Sequence, residues 1–110
     1  RVPRGLTLSQ AASLPAVSLT ALYSLYLGGQ FPLDLSPRPS NRSILIHSAA
    51  GGVGSMLVQM SKLVGMSKVV GVVGRSAKVD AAKALGCDVV IDKSQDDLWQ
   101  VARDASPQGY

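Results

Sequence analysis

Residues 44–54 read Ile-Leu-Ile-His-Ser-Ala-Ala-Gly-Gly-Val-Gly, and the other predicted elements of the chain are arranged around them. This stretch predicts a short apolar strand, a glycine-rich turn and then a helix that begins at Val53. Apolar residues recur along that helix at helical spacing, at Val53, Met56, Leu57, Met60, Leu63 and Val64. Gly65 stands where a C-terminal cap glycine belongs. Such a turn aims free N–H groups and the positive end of a helix dipole at one point, which predicts an anion site.

The glycine pattern is close to the G-x-G-x-x-G fingerprint of dinucleotide-binding βαβ units, with Ala49 in place of the first glycine. In this register Gly51 lets the backbone approach a pyrophosphate, and Gly54 lets the helix pack closely on the strand. Alanine is the smallest substitute, so the turn stays feasible, although an ordinary tight turn is the alternative. The flanking strand and helix favour the cofactor-binding interpretation.

The rest of the chain supplies the other elements of such a unit. Helices are predicted over 10–14 with Ser9 as the N-cap, over 17–27, over 77–85 with Ser76 as the N-cap, and over 98–104. Strands are predicted over 68–73 and 88–92. Leu98, Trp99 and Ala102 are expected in the core.

The order of these elements predicts an α/β fold, the first half of a Rossmann doubly wound parallel sheet (β-α-β-α-β-α) preceded by a helical segment. Right-handed crossovers predict the strand order 3-2-1, with one edge of the first strand unpaired. We divide the chain into a helical segment at 1–29, a proline-rich surface connector at 30–43 and a partial coenzyme domain at 44–110. The chain is expected to be a segment of a larger enzyme.

Composition excludes several classes of protein. The net charge of +4 is scattered without a basic run, so no nucleic-acid partner is indicated. Residues 5–33 carry no charge, but Pro15 and the interspersed polar residues argue against a membrane span. The single cysteine, Cys87, fits a small buried residue in a reducing compartment, and we expect a cytoplasmic protein. No metal site is predicted, and His47 is interpreted as a packed core residue.

The residues after the second strand bear on cofactor choice. NAD-binding folds carry an acid about 20 residues beyond the glycine motif. Here that place falls at Val73 and Gly74, and Arg75, Ser76 and Lys78 follow. Cations favour a ribose 2′-phosphate and a carboxylate repels it, so the sequence favours NADP over NAD. Lys93, past the third strand, could reach the same phosphate. A solvated surface role remains open for Arg75, Lys78 and Lys93.

Three segments carry a resemblance to a known family: 44–54 (ILIHSAAGGVG), 71–78 (GVVGRSAK) and 84–92 (ALGCDVVID). They resemble the medium-chain dehydrogenase/reductase superfamily, in particular its zinc-independent quinone oxidoreductase branch with the vesicle-membrane-protein homologues. The helix at 11–23 (AASLPAVSLTALY) resembles the one that precedes the coenzyme domain there. The resemblance covers nearly the whole chain.

The resemblance implies a set of roles. Thr20 would lie near the nicotinamide, Ala50, Gly51, Gly52 and Val53 would face the pyrophosphate, and Lys78 would hold the 2′-phosphate. Lys93 stands where a tyrosine is common. A zinc-ligating cysteine of other branches falls at about Ala16, which implies a metal-free reaction. The catalytic residues are not assigned.

The expected function is hydride transfer from NADPH to a quinone or an electron-poor double bond, with the isolated segment inactive. A homodimer of the full-length protein is left open. A non-catalytic NADP(H)-binding module is the alternative. An ATP enzyme is disfavoured because no Gly-Lys-Ser/Thr follows the glycine turn.

Overall fold

A three-stranded parallel sheet lies at the centre of the computed structural model, which describes all 110 residues. The strands are β1 (Ser43–Ile46), β2 (Lys68–Val73) and β3 (Val89–Asp92). The helices are α1 (Leu8–Ser13), α2 (Pro15–Leu27), α3 (Gly52–Leu63), α4 (Val79–Leu85) and α5 (Leu98–Ala105), with a 3₁₀ turn at Ser76–Lys78. This arrangement confirms the predicted α/β half of a doubly wound sheet.

The strand order is β1-β2-β3, as the right-handed crossovers predict. Ile46 at the end of β1 pairs with Gly71, and Asp92 at the end of β3 pairs with Val73. The strand β2 is therefore central, and β1 has one free edge. Because all strands run the same way, the segments that follow them meet at one edge of the sheet.

The central strand β2 is buried on both faces, which explains its β-branched sequence. Val69 and Val73 pack with Val58 of α3 and Ala82 of α4. The alternate residues of β2 pack with Ala102 of α5 on the opposite face. Cys87 is buried in the first cluster, as predicted.

Two predicted helix starts are wrong. Thr7, and not Ser9, caps α1: its Oγ1 accepts the N–H of Gln10 at 3.1 Å, and Gln10 Oε1 accepts the N–H of Thr7 at 2.9 Å. Gln10 completes this capping box in place of an acid. The hydroxyl of Ser76 caps no helix, because it donates to Asp92 instead. Ser76 instead begins the 3₁₀ turn Ser76–Lys78, and α4 starts after this turn at Val79.

Two predictions of burial are also wrong. Trp99 is 66% exposed, because α5 turns the faces of Leu98 and Ala102 towards the sheet. His47 is exposed in the turn after β1 and is not a core residue. In the connector, by contrast, Phe31 is buried beneath the guanidinium of Arg42, 4.7 Å from the ring centre.

None of the helices combines the length and the apolar character that crossing a bilayer requires.

Candidate functional site

The turn after β1 has a left-handed residue at its start. Ser48 adopts a φ of 52°, which reverses the chain, and its carbonyl accepts the N–H of Gly51 at 2.8 Å. The N–H of Ala49 donates to the carbonyl of Val72 at 3.0 Å. Ala49 is fully buried, so the replacement of the first glycine is accommodated. No local pattern in the sequence predicts that Ser48 makes the reversal.

Gly54 sits where the first turn of α3 passes over this reversal. A Cβ at Gly54 would overlap the main-chain carbonyl of Ser48, which cannot move aside without changing the turn. The close approach expected at Gly54 is therefore present. Gly51 is also close to Ser48, since a Cβ there would lie 3.2 Å from the same oxygen.

Four backbone N–H groups at this corner donate no hydrogen bond within the chain, those of Ala50, Gly52, Val53 and Gly54. Three of them belong to the first turn of α3, a helix of 12 residues with no side-chain N-cap. Unpaired N–H groups and the helix dipole together favour an anion at this end. No internal hydrogen bond of the chain competes with an anion for these N–H groups.

The helix α2 approaches the same corner from the other side. A Cβ at Gly52 would lie 3.0 Å from Cγ1 of Val17, so this glycine allows the two helices to pack closely. Thr20 lies one turn further along α2, is exposed, and donates its hydroxyl to the carbonyl of Ala16 at 2.9 Å. Thr20 is thus on the helix whose Val17 lies beside Gly52, and not at the edge of the sheet.

The segment after β2 carries the two predicted cations. Gly74 has open space around it, and Arg75 and Lys78 are both exposed. No acid occupies the end of β2. Lys93 is exposed just after β3, and its N–H donates to the carbonyl of Val73 at 2.9 Å. The three predicted cations therefore follow two neighbouring strands at one edge of the sheet.

Asp92, at the end of β3, is a functional candidate that the sequence analysis missed. Its carboxylate accepts hydrogen bonds from the hydroxyls of Ser76 and Ser94 and from the N–H of Ser94. The Ser76 hydrogen bond, followed by those from Ser94, lowers the pKa of Asp92. An acid at the carboxyl end of a predicted strand was the available signal.

A cavity of about 420 Å³ lies elsewhere, along the free edge of β1. His47 and Tyr110 contribute to its walls, together with the last turn of α2. None of the predicted cofactor-binding residues lines it. No three His, Cys, Asp or Glu side chains come together where they could hold a metal ion.

A family profile described as zinc-binding dehydrogenase matches residues 52–110, more than half of the chain. The chain belongs to the medium-chain dehydrogenase/reductase superfamily. Within this superfamily its relatives identify the quinone oxidoreductase branch.

The chain is 40% identical to prostaglandin reductase 1 of Rattus norvegicus over 84% of this chain and 26% of that protein. A solved quinone oxidoreductase of Pseudomonas syringae has a TM-score of 0.79 and 33% identity, covering 97% of this chain and 30% of that one. The Escherichia coli quinone oxidoreductase complexed with NADPH has a TM-score of 0.77 and 29% identity, covering 96% and 30%. This superfamily member therefore spans less than a third of the length of these relatives.

Proposed function

We propose that this chain is the coenzyme-binding segment of an NADPH-dependent reductase that acts on a quinone or another electron-poor double bond. The observation that carries the proposal is the turn after β1, whose unpaired N–H groups lie beside a second turn that offers cations and no acid. This combination suits a dinucleotide whose adenosine carries a 2′-phosphate.

Each residue has a proposed task. The N–H groups of Gly52 and Val53 hold the diphosphate, and the bare backbone of Gly51 permits its approach. Arg75 and Lys78 bind the 2′-phosphate, with Lys93 as a further cation at the same edge. Thr20 contacts the nicotinamide end from α2. Bound NADPH supplies the reducing chemistry, and this segment orients it.

The substrate class is supported by the relatives. Those named above are quinone and prostaglandin reductases, and another is a 2-haloacrylate reductase. A reaction without zinc is supported by Ala16, which occupies the approximate place of a cysteine ligand in the zinc-dependent branches.

The test is isothermal titration of the intact protein with 2′-phospho-ADP-ribose and with ADP-ribose. We expect the phosphorylated probe to bind at least about 10-fold more tightly, since a charge-assisted pair contributes about 1.5–3 kcal/mol. Lys78→Ala should remove most of this difference. Lys83→Ala, at an exposed lysine further along α4, is the matched control and should keep it. Equal affinities for the two probes in the wild type would refute the NADP preference.

The same site would also serve an NADP(H)-binding protein without catalysis. NADPH oxidation that depends on an added quinone or enone distinguishes the two, because only the reductase consumes NADPH when such an acceptor is present.

A further inference from the structure

We infer that Asp92 is a positioning residue for 2′-phosphate selectivity, and that it acts through the hydroxyl of Ser76. This inference rests on the proposed function. It assigns a role in cofactor selectivity to a residue that is neither in the glycine turn nor one of the cations Arg75, Lys78 and Lys93. The role is indirect, since Asp92 holds the turn at residues 74–78 and does not touch the phosphate.

The turn at 74–78 is poorly supported by packing. Gly74 has no atom within 4 Å of the place where a Cβ would be, and Arg75, Ser76, Ala77 and Lys78 are all exposed. Its main-chain bonds are local: the N–H of Lys78 donates to the carbonyl of Arg75 at 3.0 Å, and the N–H of Val79 donates to the carbonyl of Ser76. Side chains that do not pack cannot fix the direction of such a turn.

One side-chain hydrogen bond ties this turn to the sheet, from the Ser76 hydroxyl to Asp92 Oδ2. Asp92 is only 8% exposed, and as the last residue of β3 it pairs with Val73 of β2. The N–H of Asp92 is itself held by Asp96 Oδ2 at 2.9 Å. A rigid acceptor thus anchors Ser76, the residue between Arg75 and Lys78.

Asp92 is not arranged to bind the nucleotide itself. Its other oxygen, Oδ1, accepts the hydroxyl of Ser94 at 2.5 Å and the N–H of Ser94 at 3.0 Å. It makes no ion pair. Hydrogen bonds from Ser76 and Ser94 therefore use most of the acceptor capacity of this carboxylate within the chain, and little of it is left for a ribose hydroxyl. Its contribution therefore passes through Ser76.

The chain offers a matched pair of variants. Ser76→Ala removes the hydrogen bond to Asp92 Oδ2 and so releases the turn at residues 74–78 from the sheet. Ser94→Ala removes a bond to the same carboxylate at Oδ1, but it leaves the turn tied. Ser76→Thr keeps a hydroxyl and should rescue the effect. The readout is the ratio of the dissociation constants for ADP-ribose and 2′-phospho-ADP-ribose, with thermal unfolding of each variant alongside.

We expect Ser76→Ala to lower this ratio about 5-fold, with ADP-ribose affinity changed less than about 2-fold, as suits the loss of one positioning hydrogen bond. Ser94→Ala and Ser76→Thr should keep the ratio of the wild type. In an Asp92→Ala background, where the acceptor is already absent, the added Ser76→Ala change should lower the ratio no further.

An unchanged ratio in Ser76→Ala, or an equal loss in Ser94→Ala, would overturn the role of Asp92 while the wild type still discriminates between the probes. A wild type that does not discriminate would overturn the NADP preference itself, and this inference with it. The two failures are therefore distinguishable. Weakened binding of both probes by the same factor would indicate general disruption and would also contradict selective positioning.

Discussion

The N–H of Ala49 donates to the carbonyl of Val72 at 3.0 Å, and this bond joins the two halves of the site. The pairing of β1 with β2 stops at Ile46 and Gly71, so Val72 has no β1 partner. The turn after β1 supplies the missing donor and folds over the end of β2. The unpaired N–H groups and the cationic turn are thereby brought to neighbouring positions.

Gly54→Ala should destabilise the protein by about 2–4 kcal/mol, because an added Cβ meets backbone that cannot yield. The better helix propensity of alanine, worth about 0.5–1 kcal/mol, is too small to compensate. Gly74→Ala is the control, since open space surrounds Gly74, and should change stability by less than about 0.5 kcal/mol. Urea unfolding measures both, and similar midpoints would contradict the close contact.

Arg75→Glu should reverse the cofactor preference. A carboxylate after β2 repels a 2′-phosphate and accepts hydrogen bonds from ribose hydroxyls. We expect the preference for 2′-phospho-ADP-ribose over ADP-ribose to fall by about 30-fold or more in titration calorimetry. Arg103→Glu makes the same charge change on α5 and should leave the preference intact. If both variants act alike, net charge and not the site controls binding.

Ser61→Ala should raise the free energy of unfolding by about 1 kcal/mol, because the buried hydroxyl of Ser61 has no hydrogen-bond partner. Alanine is also the better helix former within α3. Ser67→Ala serves as the comparison, since its hydroxyl donates to the carbonyl of Arg42 at 2.9 Å, and it should not stabilise. A lower melting temperature for Ser61→Ala would show that its hydroxyl has a partner in solution.

Asp88→Asn should reduce the dependence of the free energy of unfolding on pH in the acidic range. Burial raises the pKa of Asp88, but the N–H of Val69 and the ammonium of Lys62 outweigh it and lower the pKa overall. A lowered folded-state pKa contributes stability that is complete above the unfolded value, about 3.9, and is lost as the pH falls through the folded value.

The wild type should therefore be more stable than Asp88→Asn at pH 7, and the two urea midpoints should converge as the pH falls below the unfolded value and through the lower folded-state pKa of Asp88. A constant gap between them across this range would mean that the charge of Asp88 contributes nothing.

Local patterns in the sequence were sufficient to predict the strands of the sheet and the ends of two helices. The β-branched run at Lys68–Val73 predicts a strand buried on both faces, because only such a position accepts apolar side chains in both directions. Gly65 and Gly86 end their helices with positive φ, which glycine adopts without steric cost. The strand order followed from the handedness of the connections. The roles of Thr20, the glycine turn, Arg75, Lys78 and Lys93 in binding a cofactor stay predictions.

Other features of the protein depend on tertiary packing and could not be predicted from local sequence patterns. Ser48 takes the left-handed conformation because the turn must pass under Gly54, and Trp99 is exposed because the sheet selects the other face of α5. Ser76 and Asp92 are 16 residues apart and meet only because β2 and β3 are paired neighbours. A sequence specifies residue types and periodicity, but a hydrogen bond between distant residues exists only once packing has fixed the distance between them.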